Sequence, residues 1–173
     1  TRPTRLCRFG ASQPHVGYKG PGVLVVTRPM ASQAATPAPD FTLKSRSGEN
    51  VRLEDMRGQV VMLNFWASWS GPCRQEMPLM DDLYEQYKDL GFTILAVNVD
   101  ENREEALRFL DKVPVSYPIL YDPESRVSEL YEVQAMPTTV MIDRSGNARY
   151  LHHGYQSGYE DDYERQIREL VRE

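Results

Sequence analysis

From Asp40 onward, apolar and polar positions follow regular periods that change in a fixed order. Phe41-Thr42-Leu43 and Val51-Arg52-Leu53 alternate around Ser47-Gly48-Glu49-Asn50, which predicts a β-hairpin. Val60 to Trp66 is largely apolar, as a central strand covered on both faces must be. Met80, Leu83, Tyr84 and Tyr87 then fall at i, i+3, i+4 and i+7, so a helix comes next, and Gly91 stops it. Phe92 to Val99 predicts a second buried strand, and Asn102 with Glu105 offers a capping pair for a helix whose Ala106, Leu107 and Leu110 face inward.

The C-terminal third continues in the same manner. A short strand around Tyr117 to Leu120 leads to Asp122-Pro123, a helix cap followed by proline at the first helical position. Thr138 to Asp143 and Ala148 to His153 form a second hairpin across Arg144-Ser145-Gly146-Asn147. Ser157 and Glu160 make a capping box for a terminal helix with Tyr159, Tyr163, Ile167 and Leu170 on one side. The order ββ-βαβ-αβα-ββα predicts an α/β fold: a central mixed sheet with helices on both faces and an extra N-terminal hairpin.

Residues 1 to 39 lack such periods and are rich in Pro, Gly, Ser and Ala, so they read as tail and linker, with one domain over residues 40 to 173. Charge marks the same boundary. Arg2, Arg5, Arg8, Lys19 and Arg28 give the first 39 residues +5 with no acid; the total of −5 leaves −10 for the rest. Spread charges without interleaved aromatics read as a solvated tail, and the acidic body argues against nucleic-acid binding. Ala31-Ser32-Gln33-Ala34-Ala35 is compatible with a processing region; alternatively residues 1 to 29 are appended sequence before a start at Met30.

Composition narrows the chemistry further. A hydrophobic content of 40% over 173 residues suits one globular domain, and no apolar run approaches the ~18 residues of a membrane span. Cys7 and Cys73 are the only cysteines, which excludes a disulfide scaffold and a four-cysteine zinc site. His15 stands in the tail, and His152-His153 are neighbours that a strand would aim to opposite faces, so no metal or other cofactor is expected.

The candidate chemistry sits at Trp69-Ser70-Gly71-Pro72-Cys73, just after the buried strand and in the first turn of a helix. There, free backbone N–H groups and the helix dipole favour a thiolate at Cys73. Taken alone, Cys73 reads better as a small buried hydrophobe, with Ser70 or Gly71 as the helix cap and Pro72 in the first turn.

The wider pattern resembles the thioredoxin superfamily, with the first cysteine of Cys-Gly-Pro-Cys replaced by Ser70. Pro39-Asp40-Phe41, Asn64-Phe65-Trp66-Ala67, Cys73-Arg74-Gln75-Glu76-Met77-Pro78 and Met136-Pro137-Thr138 are similar to the TlpA/ResA branch, which includes cytochrome c maturation thioredoxins. The resemblance covers roughly residues 38 to 173 and speaks to fold and branch rather than substrate. It implies an attacking sulfur at position 70, a resolving thiol at Cys73, an active-site turn tuned by Gly71 and Pro72, and an acid, Glu76, that adjusts thiol ionisation. Trp69 would line the substrate groove, and Pro137 would take a cis bond that leaves the Met136 backbone to pair with an extended substrate. Asn64 stands where thioredoxins carry a titratable buried aspartate, so proton handling would fall to Glu76 or water.

The resemblance also implies a monomer that meets a protein thiol or disulfide and an upstream thiol-disulfide donor. It would work in the periplasm or elsewhere outside the bacterial cytoplasm, often tethered to the membrane. Serine can neither attack a disulfide near neutral pH nor hold half of one. Three readings follow: an oxidoreductase inactivated or trapped by an introduced Ser70; a redox-inactive thioredoxin-like binding module; and a one-cysteine peroxidase using Ser70-x-x-Cys73, weakened by Trp66 where that motif expects proline. A Cys7 to Cys73 disulfide would require the tail to fold back onto the site.

Overall fold

The computed structural model describes residues 36–173. Residues 1–35, with Cys7, His15, Met30 and Ala31 to Ala35, lie outside the described residues, so only residues 36 to 39 of the predicted tail are described. Among the described residues, seven strands form one mixed sheet in the order β2 (Asn50–Arg52), β1 (Thr42–Ser45), β5 (Ile119–Tyr121), β4 (Phe92–Asn98), β3 (Val60–Trp66), β6 (Thr138–Ile142) and β7 (Ala148–His153). At its centre, β3 (Val60–Trp66) pairs in parallel with β4 (Phe92–Asn98) and antiparallel with β6 (Thr138–Ile142). Every residue of β3 and β4 is buried, as their unbroken apolar runs require.

Both faces are covered because successive β3 side chains point opposite ways. Val60, Met62 and Trp66 pack with α1 (Gly71–Tyr87), α2 (Arg103–Lys112) and α4 (Tyr159–Val171). Val61, Leu63 and Phe65 pack with Val127 of α3 (Arg126–Leu130), and with Tyr131 and Phe41. The predicted N-terminal hairpin is β1 (Thr42–Ser45) and β2 (Asn50–Arg52), with Leu43 opposite Val51. It extends the sheet by pairing β1 antiparallel with β5 (Ile119–Tyr121). Packing begins before Asp40: Ala38 N–H donates to the Gly146 carbonyl, and Tyr131 OH to the Pro39 carbonyl at 2.6 Å.

Four local expectations change. After α1 a 3₁₀ turn intervenes over Lys88–Leu90 before Gly91 turns the chain at φ 81°, and a Cβ there would lie 2.5 Å from Arg144 Nη1. The third helix starts at Arg126, not at Pro123; the chain turns first, and buried Asp122 caps from a distance, accepting from the N–H groups of Arg126, Val127 and Ser128 at 3.0 to 3.1 Å. At α4 the cap residue is Gly158, without a Ser157 side-chain bond. Only the returning half of the capping box forms, with Glu160 Oε2 accepting from Gly158 N–H. In α2 it is Phe109, rather than Leu107, that joins Ala106 and Leu110 in the core.

Asp122→Ala strands three buried or half-buried N–H groups at once. It is expected to cost about 2 kcal/mol in urea unfolding, with Asp122→Asn losing less because one acceptor oxygen remains.

Candidate active site

The site is built where β3 hands over to α1. Buried Trp66 ends the strand, four residues turn the chain, and α1 starts at Gly71-Pro72, where proline's missing N–H costs nothing. Ser70 is the cap residue in extended conformation, and its Oγ accepts from Cys73 N–H at 3.3 Å. The preceding turn is pinned from β4. Buried Asp100 accepts from Ser68 N–H at 2.9 Å, Ser68 Oγ at 2.7 Å and Asn98 Nδ2 at 2.6 Å. Held on both sides, Trp69 projects outward and is 71% exposed.

Opposite the helix mouth, the Met136-Pro137 bond is cis, and the Met136 carbonyl accepts from Ser70 Oγ at 3.4 Å. That carbonyl has a second lone pair free for another donor. Half-buried Met136 lines a groove with Trp69, Val99, Asp100 and Val133. Residues far apart in sequence, Trp69, Ser70, Cys73, Met136 and Pro137, therefore surround one spot. Gly71 and Pro72 are exposed at its edge, and an added Cβ at Gly71 would meet nothing within 4 Å. Glu76 lies one turn deeper, out of contact with solvent.

The expectation of a favoured thiolate at Cys73 is corrected. The side chain is fully buried, and burial pushes its thiol up to about 11; the bonds from Ser70 and the Ala67 backbone pull the other way without prevailing, while Glu76 and Asp100 push it further up. The helix terminus is worth about 1 kcal/mol, too little to offset removal of a charge from water. A buried, protonated sulfur is the opposite of what peroxide chemistry asks of a peroxidatic cysteine.

Glu76 is displaced in the same direction. Burial raises its carboxyl to about 8, against the pull of hydrogen bonds from Tyr163 OH at 3.1 Å and Asn64 Nδ2 at 2.6 Å. Near neutrality it is mostly protonated, and a modest change in surroundings moves its proton. Asn64 cannot titrate, yet it anchors the group that does. Sequence reading missed Tyr163, Thr139 and Asp100 as parts of the site. Tyr163 was legible only as one of a helix's core positions, although a buried tyrosine seeks a partner for its hydroxyl. Among the described residues, no cluster of three or more His, Cys, Asp or Glu side chains is arranged to hold a metal ion.

Comparison with known proteins agrees with this geometry. Residues 34–151 match the model of the AhpC/TSA family. The chain is 38% identical over 144 residues to the thiol-disulfide oxidoreductase ResA of Geobacillus kaustophilus, covering 83% of this chain and 82% of that protein. Among solved structures, a Chlorobium tepidum chain assigned to the thiol:disulfide interchange protein DsbE is 40% identical with a TM-score of 0.77, covering 80% of this chain and 98% of that one. The exposed lipoprotein thioredoxin Etrx1 of Streptococcus pneumoniae is 30% identical with a TM-score of 0.63, covering 76% and 100%. The fold is thus thioredoxin-like, with the expected mixed sheet and N-terminal hairpin.

Glu76 makes stability depend on pH with a definite sign. Unfolded, the carboxyl ionises near its ordinary 4.5; folded, it holds its proton to about 8. Stability from this group is complete below the lower value and is lost as pH rises through the window, roughly 5 kcal/mol in all. Urea unfolding at pH 5 and pH 8 should show that decline, and Glu76→Gln should flatten it.

Proposed function

This chain belongs to the AhpC/TSA family and is by family an oxidoreductase, and on that premise we propose that it is a ResA-type thiol-disulfide oxidoreductase whose nucleophile position is occupied by Ser70. The observation that carries the reading is the placement of position 70. It caps the helix, 3.3 Å from Cys73 N, and reaches the carbonyl that precedes cis Pro137 at 3.4 Å. A sulfur there would lie at the mouth of the groove, with Cys73 buried behind it.

With cysteine at position 70, the thiolate there attacks a substrate disulfide and releases one substrate thiolate. Cys73, giving up its proton, then attacks the sulfur at 70, releases the second thiolate and leaves an internal disulfide. An upstream thiol donor returns the pair to the reduced state. Glu76 is the proton carrier for the high-lying Cys73 thiol, being buried near it and titrating close to neutrality. Trp69, Met136 and Pro137 receive an extended protein segment, with Gly71 and Pro72 forming the exposed lip. Work outside the cytoplasm is supported by similarity to an exposed lipoprotein thioredoxin.

As it stands, with Ser70, the chain lacks the second sulfur on which turnover depends. A second reading, a binding module that uses the same groove without exchange, is favoured by how fully Ser70 Oγ is engaged as cap and as donor to Met136.

Ser70→Cys separates the two. The first reading expects dithiothreitol-driven reduction of a model protein disulfide to rise at least about tenfold over the Ser70 chain, with an internal 70–73 disulfide in the intact mass. No gain in turnover, together with unchanged affinity for a thiol peptide under reducing conditions, would overturn it and leave the binding module.

A further inference from the structure

A row of polar side chains crosses the otherwise apolar sheet at one register level. Asn64 of β3 stands opposite Thr139 of β6, and Thr139 opposite His152 of β7 (Ala148–His153); all three are buried. Glu76 of α1 and Tyr163 and Gln166 of α4, also buried, lie over the row. His152 Nε2 and Gln166 Oε1 are 2.9 Å apart, and the His152 ring meets Tyr163 edge-on at 4.9 Å. The tyrosine ring is thereby fixed from the strand side.

The two oxygens of Glu76 meet unlike partners. Asn64 Nδ2, at 2.6 Å from Oε1, can only donate, and it also donates to Thr139 Oγ1 at 3.0 Å. While that bond stands, Oε1 has no place for the acid proton, which belongs on Oε2. There the neighbour is the Tyr163 hydroxyl at 3.1 Å, a group that donates or accepts, and the Thr139 hydroxyl acts on that tyrosine from close by.

We propose that Tyr163 is a positioning residue for Glu76, its hydroxyl reversing direction as the carboxyl gains or loses a proton. It donates to Oε2 of the carboxylate. It accepts from Oε2–H of the acid, with its own proton turned to Thr139 Oγ1. No bond between heavy atoms changes, and neither protonation state leaves a buried oxygen of Glu76 without a partner. The inference rests on the reading of Glu76 as the proton carrier, and explains how a carboxyl locked between two helices and a strand can take up and release a proton without moving.

Other titratable groups act on Glu76 from every side. Cys73 lies on its own helix, Glu160 on α4, Tyr155 in the loop before α4, and Tyr117 just ahead of β5. Glu160 pushes the carboxyl up; Tyr163 and Asn64 are the bonds that pull it down. Loss of the Tyr163 hydroxyl takes a bond from both forms, and it disfavours the ionised form more because a bond to the charged carboxylate is the stronger one.

The test is a ¹³C-carboxyl NMR titration of Glu76 in the Ser70 chain as it exists. Tyr163→Phe is expected to raise the Glu76 midpoint by about one pH unit, the scale of a lost hydrogen bond to a charged group. Tyr159→Phe, which removes a buried hydroxyl with no partner among the described residues, should leave it in place. A folded Tyr163→Phe chain with an unmoved midpoint overturns the proposal, since a purely structural tyrosine would lower only the melting temperature. Should that variant fail to fold, the unmodified chain still decides: the Tyr163 Cζ resonance must shift with the Glu76 midpoint, and a flat trace overturns the reversal. These titrations need no turnover, so their outcome is independent of the Ser70→Cys assay.

Discussion

The structure depends on β3 being buried on both faces and paired on both edges. A strand in that position cannot slip or twist away, so the turn at its end is held at a fixed place on the sheet rim. The helix that follows must begin there, and with it the row of free N–H groups that Ser70 caps. Asp100, at the end of the neighbouring parallel strand, locks the turn through Ser68. The cis Met136-Pro137 loop leads into β6 on the other side of β3, which sets it against the start of α1.

The same burial that fixes the site sets its protonation. Cys73 and Glu76 occupy the inner side of the first turns of α1, where desolvation outweighs both the helix terminus and their hydrogen bonds. Both groups therefore keep their protons at neutral pH. This arrangement suits a thiol that acts second and is sheltered until a partner's sulfur is already in the groove. Among the described residues it leaves no cysteine at the surface, and in the proposed reading Ser70 has an oxygen where exchange needs a sulfur.

Serine at position 70 is nevertheless well accommodated. Its hydroxyl accepts from Cys73 N–H and donates to Met136, so the oxygen supplies the cap and closes the gap to the proline loop. In the proposed reading, the framework for a thiol-disulfide reaction and the chemical capacity for it are thus separable in this chain: the first rests on β3, Asp100 and the cis proline loop, and the second on the atom at position 70.

The sequence by itself determined the element order, the buried central strands, the hairpins and the helix carrying Cys73, because these follow from local periods of apolar residues and from turn residues a few positions apart. It also placed Ser70, Cys73 and Pro137 in one site through a resemblance of motifs, although no local period connects residue 73 to residue 137. Only the tertiary structure decided the ionisation of Cys73 and Glu76, because desolvation is the sum of everything packed around a group, and most of those neighbours lie far away in sequence. The partnership of Asn64, Glu76, Thr139 and Tyr163 became visible for the same reason: four elements of the sheet and helix layers must be stacked before their polar atoms can meet. Asp122 shows the limit on a smaller scale. Its capping chemistry was plain in the sequence, but the turn that moved the helix start to Arg126 was a matter of how the chain leaves β5.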